Sequence, residues 1–545
     1  MCMDNATNCD TLASNLAKEV ASFKGMAART RCAPHIINLC AKVFISFFFK
    51  PPRKKKQAAL EESADGQKDN DDDVAMEVDD EEDEEHVAPE DEMVEDDVAN
   101  DVDSIDAARE AHDATRVLTV REQAKKEAKE WYVRSNGAPL EMTAAEEKTA
   151  LGIFPKVAGL ARRVHDTTIL QEAFAALVEA DNKHKAKENA EALAAKKEAP
   201  HEIPEQKSTL GRRMPTRWNT DLDCLTDYAD FKDPVTELCS SPRYKLGKYL
   251  LDTKQFALVD QMIPALDPFE RITALFSRAE VPLIYQVLPL MEALEHDLVR
   301  IRDDVHRAPV VRIASHATLI LLGKYYALTD DCETYATALF MCPNKKDKAL
   351  LANADWAPET VAIFRERAIK EFHNDNPDQA EEAAAPPPTR PKKKKRAKDA
   401  THVDDLIDDY DNNSMATATN QDTIEAYFAA PPVPVIEIRS VGKPGPNGAG
   451  KGDVCDYWEK AKATRPRLAK FALKHLTAPA SSVDAERAFS NGRLQVNHLQ
   501  HGMSSQTFKA RVALHSWDGC PFFPPGTAER LLAERDARQS KKKSK

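Results

Sequence analysis

The sequence predicts a mainly α-helical protein with long disordered segments, and three observations support this. Residues 107–190 are rich in Ala, Glu, Lys and Leu and poor in β-branched residues, which favours helices. Residues 210–372 lack the sustained alternation of apolar and polar residues that is typical of strands. Glycine, at 17 of 545 residues, is too scarce for a glycine-rich β architecture.

Changes in composition divide the chain into seven segments. In chain order these are residues 1–50, compact in composition; 51–106, basic and then acidic, and predicted to be disordered; 107–200, helical; 201–375, a helical domain; 376–452, a low-complexity linker; 453–520, compact and helical; and 521–545, a basic tail.

Apolar residues indicate where helices form in these segments. Residues 36–49 are largely apolar and fit either a helix or a buried strand, and a proline pair follows them. Stripes at three- and four-residue steps predict helices around three further sets: Leu12, Leu16 and Val20; Leu160, Val164, Leu170, Phe174 and Leu177; and Tyr285, Leu288, Met291, Leu294 and Leu298.

An acidic stretch dominates the net charge. Glu61–Ile105 holds 23 acidic residues and one Lys, a charge of −22. Because the whole chain carries −14, the remainder carries +8 and is mildly basic. Like charges repel and few apolar residues are present, so we expect this stretch to be disordered.

The sequence contains two basic runs. Arg53–Lys56 lies in the segment 51–106, and Arg390–Arg396 lies in the linker 376–452. Such runs can be solvated linkers, phosphate contacts or nuclear import signals. For the second run we favour import, which predicts a nuclear protein.

Composition also excludes several classes of protein. The ten cysteines are scattered without a C-x-x-C pair, which indicates reduced intracellular thiols and excludes an ordinary zinc finger. The longest largely apolar run, Val43–Phe49, is far below the roughly 20 residues that a membrane helix needs. We therefore expect no membrane partner, and no small-molecule substrate is indicated.

The compact block Tyr457–Trp517 predicts three short helices. Ser481 or Ser482 can cap the second helix and Gly492 can end it. About sixty residues carry more large apolar side chains than three short helices can bury among themselves. The neighbour that covers them can be the same chain or a second copy.

Residue order in this block carries a resemblance. Tyr457-Trp458, the run Arg465–Leu468, and the pattern P-A-S-S-x-x-x-E-R-x-F-S at Pro479–Ser490 resemble the C-terminal dimerisation region of hAT-type transposases; the alternative is a chance helical hairpin. Three other blocks resemble family segments and follow in the family's order: Met3–Asn8, Thr30–Leu39 and Met214–Asn219. The resemblance touches most of the chain except the acidic insert and the linkers.

The resemblance implies a remnant of an RNase H-like α/β core that a long all-helical domain interrupts, with residues 1–50 as part of this remnant. In the family, two Asp and one Glu hold two divalent ions for in-line phosphoryl transfer, which suits Mg²⁺. Asp4 matches the second Asp position and Glu486 the third carboxylate. Arg217 and Trp218 match a DNA-contacting block, in which the Trp can stack on a flipped base.

Other predicted residues have structural or self-association roles. Cys32 and His35 match a C-x-x-H block and are interpreted as local structure, since no second ligand pair is visible. The apolar residues expected at a dimer contact are Trp458, Leu468, Phe471, Leu476, Phe489, Leu514 and Trp517. Each of the residues Asp4, Trp218 and Glu486 also has a simpler interpretation. Asp4 can be an ordinary residue near the N-terminus, and Trp218 can be a core residue. Glu486 can form a surface ion pair with Arg487.

The sequence departs from the family at its beginning. The first Asp of the triad is expected well upstream of Asp4, where this sequence has three residues. We therefore predict a transposase-derived, catalytically inactive protein that self-associates and keeps residual DNA affinity, with Mg²⁺ expected only for a complete site. The alternatives are an active transposase and a host-adopted nuclear scaffold whose acidic insert binds basic partners.

Overall fold

The computed structural model describes the larger part of the chain. The described residues are 2–3, 7–20, 23–49, 104–136, 139–201, 203, 207–214, 217–277, 283–353, 356–377, 422–441, 452–483, 504–517, and 523, 526–527, 529–531 and 533–534. Most of the two segments predicted to be disordered or linker, 51–106 and 376–452, lies outside them. Two differences from the prediction appear: a helix already begins at Ser104, and residues 424–429 and 435–440 of the predicted linker are helical.

The described residues are mainly helical, which confirms the mainly α part of the predicted fold class. The helices are α1 Thr7–Glu19, α2 Ala33–Ile45, α3 Ser104–Asn136, α4 Ala144–Leu151, α5 Ile153–Asp166, α6 Thr168–Ala194, α7 Trp218–Asp230, α8 Lys232–Ser240, α9 Thr253–Phe276, α10 Val287–Asp303, α11 Pro309–Ala327, α12 Glu333–Phe340, α13 Lys348–Leu351, α14 Pro358–Asp375, α15 Ile424–Ala429, α16 Val435–Ser440, α17 Val454–Ala461, α18 Pro466–Leu476 and α19 Ser505–Trp517. Short 3₁₀ helices cover Gly25–Ala28, Gly247–Tyr249 and Ile284–Gln286.

Two short strands form a parallel pair, β1 Cys2–Met3 and β2 Thr30–Arg31, with Cys2 opposite Thr30. Parallel neighbours need a crossover connection, and α1 provides it. Gly25 lies in this connection with φ +62, a conformation that side chains disfavour. A Cβ there would lie 3.3 Å from the Cβ of Ala17, so the turn also brings the connection close to α1.

The chain divides into two compact units. Unit 1 comprises residues 1–33, 276–287 and 332–545, and unit 2 comprises residues 34–275 and 288–331. In unit 1, α12 packs against α14 and α18, and α17 packs against α18. In unit 2, the long helix α3 packs along α11, and α5 to α8 pack against one another.

The predicted stripes in unit 2 face its core. Leu288, Met291, Leu294 and Leu298 on α10 are all buried. On α5 and α6, Leu160, Val164, Leu170 and Phe174 are buried as well, but Val178 occupies the next inward position and not Leu177. Leu170, Phe174 and Val178 follow one another at four-residue steps, and this row is the buried one.

The predicted stripe of Leu12, Leu16 and Val20 is not part of the core, and only Leu16 is half-buried. Leu12 is 51% exposed and Val20 40%, whereas Ala13 is fully buried. Residues 36–49 fit either a helix or a buried strand by sequence, and the structure places 36–45 in helix α2. Among the described residues, no helix is long and apolar enough to span a membrane.

Candidate self-association and catalytic residues

Defined caps begin the two helices α17 and α18 of the C-terminal region. Asp453 and Asp456 form a capping box at α17: the Asp456 amide donates to Asp453 Oδ1 at 2.9 Å and the Asp453 amide to Asp456 Oδ2 at 3.1 Å. Helix α18 begins at Pro466, which has no N–H to satisfy. The next two amides, of Arg467 and Leu468, donate to the Asp422 carboxylate at 2.9 Å each. A carboxylate distant in sequence therefore caps α18.

Trp458 on α17 is fully buried within unit 1. Its indole Nε1 donates to the carbonyl oxygen of Met341 at 2.8 Å, and its ring lies 5.4 Å from the ring of Tyr427. The Arg465 guanidinium lies 5.4 Å from the Trp458 ring centroid and donates to the Tyr457 hydroxyl at 2.7 Å. These contacts hold α17 on its own chain.

The apolar stripe of α18 is also buried. Leu468 and Leu476 are fully buried and Phe471 is 2% exposed. The Phe471 ring packs edge-on against Phe372 of α14, with ring centroids 5.4 Å apart. As folded, these side chains and Trp458 face their own chain, so their part in a dimer contact stays a prediction.

A cluster of charged side chains surrounds Glu371 in unit 1, and the sequence did not predict it. The Glu371 carboxylate of α14 lies 2.6 Å from Lys24 Nζ, 3.1 Å from Lys474 Nζ and 3.5 Å from His475 Nε2. Lys474 also pairs with Asp375 at 2.6 Å. Each basic residue lies about a hundred or more positions along the chain from the carboxylate that it contacts, so no local pattern signals the cluster.

Burial and charge act in opposite directions on the acid–base chemistry of this cluster. Burial would raise the pKa of Glu371, but His475, Lys24 and Lys474 outweigh it and lower that pKa. Burial lowers the pKa of His475 to about 4, against the attraction of Glu371. His475 is therefore neutral at pH 7 beside an ionised Glu371.

The predicted dimer residues on α19 are exposed, unlike Trp458 and the apolar stripe of α18. On α19, Leu514 is 41% exposed and Trp517 is 46% exposed. The Trp517 ring lies 6.2 Å from the ring of Phe523. Phe489 lies outside the described residues. The structure therefore separates the predicted set into a buried group and an exposed pair.

Asp4 and Glu486 also lie outside the described residues, but the segments that precede them contact the same stretch of chain. Met3 pairs with Arg31 in the parallel sheet. Before Glu486, the carbonyl oxygens of Pro479 and Ala480 accept hydrogen bonds from the Thr30 hydroxyl at 2.8 Å and the Ala33 amide at 2.9 Å. Residues 30–33 thus contact both approaches to the predicted carboxylate positions.

Cys32 and His35 contact different side chains, each distant along the chain. The Cys32 sulfur accepts from the Ser482 hydroxyl at 3.1 Å and from its amide at 3.4 Å. His35 Nε2 lies 3.6 Å from an Asp113 carboxylate oxygen. No group of three or more His, Cys, Asp or Glu side chains that could hold a metal ion occurs among the described residues.

The predicted DNA-contacting pair differs in exposure. Arg217 is exposed, whereas Trp218 is 1% exposed and packs edge-on against Phe269 with ring centroids 6.0 Å apart. In this conformation the Trp218 ring is not accessible to a base. Its stacking role stays a prediction that requires the ring to leave this position.

Residues 439–517 match the model of the hAT family C-terminal dimerisation region. The match begins on α16, earlier than the predicted boundary at residue 453, and ends at Trp517, the last residue of α19. No curated protein matches the chain. The C-terminal part of the chain is therefore similar to the hAT dimerisation region, and this supports an hAT-family transposase-type protein.

Proposed function

We propose that this chain acts as a transposase-derived protein that self-associates through its C-terminal region. The observation that carries the proposal is the match of residues 439–517 to a dimerisation region. The packing of α17 and α18 supports it, because the region is fixed on unit 1 by buried contacts such as the Trp458 hydrogen bond to Met341. A rigidly held region can present one surface to a partner at a small entropic cost.

Co-expression of two differently tagged full-length copies tests this proposal. Purification through one tag should recover the other copy in an amount that rises with total protein concentration. A second tagged protein of similar size and unrelated sequence serves as the control for tag-mediated recovery. Recovery at the control level would contradict self-association.

A second candidate function is DNA strand cleavage or transfer. The observation that favours it is that the segments before Asp4 and Glu486 both contact residues 30–33. In RNase H-like transposases, to which the sequence is similar, carboxylates of this kind hold Mg²⁺. The described residues contain no three-ligand group, so no step through a metal is derived.

A cleavage assay separates the two candidates. Full-length protein with Mg²⁺ or Mn²⁺ and duplex DNA should give strand breaks that disappear in Glu486→Gln if the second candidate holds. Glu486→Gln keeps the side-chain volume and removes the charge, so a loss of cleavage would identify the carboxylate. Absence of cleavage in the unmodified chain would contradict this candidate and leave self-association as the function.

DNA affinity and nuclear localisation complete the proposal. The charge of +8 outside the acidic stretch supports DNA binding, and exposed Arg217 is one candidate contact. Anisotropy titrations with labelled duplex should show affinity that falls steeply as salt is raised.

Nuclear localisation is tested separately. Replacing the lysines of Arg390–Arg396 with Gln should retain a fluorescent fusion in the cytoplasm. An unchanged nuclear signal would contradict import through this run.

A further inference from the structure

We propose that the exposed face of α19, residues Ser505–Trp517, is the surface through which two copies of this chain pair. The inference rests on the proposed self-association and specifies where it occurs. The partner is a second copy of this chain, and the contact is apolar.

The spacing of exposed residues on α19 defines one continuous stripe. Thr507, Ala510, Leu514 and Trp517 follow one another at steps of three, four and three residues, and all four are exposed. Such steps place side chains on one face of a helix, as along the seam of a paired helix. With 13 residues, α19 is about 20 Å long, so the stripe covers almost its whole length.

The opposite side of α19 is less exposed. Phe508 and Val512, four residues apart, are half-buried, whereas Leu514 and Trp517 are 41% and 46% exposed. A helix on a protein surface usually buries its larger apolar side chains and exposes polar ones. Here two of the largest apolar residues are on the exposed side, which is typical of a contact surface.

The family match supports a second copy as the occupant of this surface. The matched region is a dimerisation region, and α19 is its last helix. The other predicted contact residues that the structure describes, Trp458, Leu468, Phe471 and Leu476, are buried within the same chain. Within residues 439–517, Leu514 and Trp517 are the large apolar side chains that the structure describes as exposed. A two-fold pair would bring this same stripe together from both copies.

Sedimentation velocity on full-length variants tests the inference. The double variant Leu514→Ala/Trp517→Ala should raise the dimer dissociation constant at least tenfold relative to the unmodified chain. Ile363→Ala is the matched control, because Ile363 is a large apolar side chain of the same unit that is 50% exposed. It should leave the dissociation constant unchanged.

A second variant distinguishes loss of the dimer contact from loss of the fold. Ala510→Arg places a charge within the stripe and leaves both large side chains in place, and Ala510 is exposed, so the core is not altered. It should also produce monomers, with an unchanged circular dichroism spectrum and urea midpoint.

The outcomes separate the inference from the proposed function. If the unmodified chain dimerises and folded Ala510→Arg dimerises equally well, the α19 surface is wrong and self-association stands. If the unmodified chain is monomeric at tens of micromolar, the proposed self-association itself fails.

Discussion

Trp458 and Met341 are joined by a buried hydrogen bond in which the indole Nε1 donates to the main-chain carbonyl oxygen at 2.8 Å. The two residues are 117 positions apart, and the bond fixes α17 on the turn that follows α12. A side chain that completes a buried hydrogen bond inside its own unit stabilises the fold. We therefore assign Trp458 to the core of unit 1.

Trp458→Phe should lower the free energy of unfolding by about 1–2 kcal/mol, because the Met341 carbonyl loses its buried donor. Urea denaturation followed by circular dichroism measures the change. Trp517→Phe is the matched control, since Trp517 is 46% exposed, and should change stability by less than about 0.5 kcal/mol. Equal effects of the two substitutions would contradict the assignment.

Phe471→Ala should destabilise the chain by about 3–5 kcal/mol, because Phe471 is 2% exposed and packs on Phe372. Leu514→Ala should cost less than about 0.5 kcal/mol, because Leu514 is 41% exposed. Thermal and urea unfolding, at protein concentrations too low for dimers to form, compares the free energies of unfolding of the two variants. A small loss in Phe471→Ala would show that this ring does not contribute to the core.

Stability should fall as the pH falls from 7 to 5, in part because of His475. Its pKa is about 4 in the folded chain and about 6.5 in the unfolded chain, so protons bind the unfolded chain more strongly. Between these values, each drop in pH favours unfolding, and the contribution of His475 at pH 5 is on the order of 2 kcal/mol.

The pH effect can be assigned by substitution. His475→Gln removes the titrating ring and should flatten the dependence of the urea midpoint between pH 7 and pH 5. Glu371 has a lowered pKa and loses its stabilising charge only at lower pH. Its titration therefore does not contribute to the slope of the urea midpoint between pH 7 and pH 5. His165→Gln, at an exposed position, is the control and should keep the full slope. An unchanged slope in His475→Gln would contradict the assignment.

Lys346→Met should destabilise the chain by about 2–4 kcal/mol. Lys346 is 1% exposed, and its ammonium donates to the carbonyl oxygens of Tyr427 and Ala430 at 2.5 and 2.7 Å. Met fills a similar volume but leaves both acceptors without this donor. Lys348→Met, at an exposed position two residues away, should change the urea midpoint little. Equal midpoints for the two variants would contradict the bonding role.

The sequence predicts helices well where periodicity is strong, and it predicts their burial less well. Leu288 and Leu298 on α10 are buried as their spacing indicates. Leu12 on α1 has the same kind of spacing but is 51% exposed. Helical periodicity shows that a stripe shares one face, but not which neighbour covers it.

The same limit applies to the candidate site. The stripe of Phe471 and Leu476 and the stripe of Leu514 and Trp517 look alike in sequence, yet one is buried in its own chain and the other is exposed. No spacing in the sequence indicates the contact between Cys32 and Ser482, which lie 450 residues apart. Contacts at such separations depend on tertiary packing, which local spacing does not encode.

The molar mass of the full-length chain in solution tests the central claim most directly. Light scattering coupled to size exclusion, over a concentration series reaching tens of micromolar, should give a mass that rises from 60.6 kDa towards twice that value. Ala510→Arg measured in parallel should stay at 60.6 kDa with an unchanged circular dichroism spectrum. A mass of 60.6 kDa for the unmodified chain at every concentration would contradict self-association.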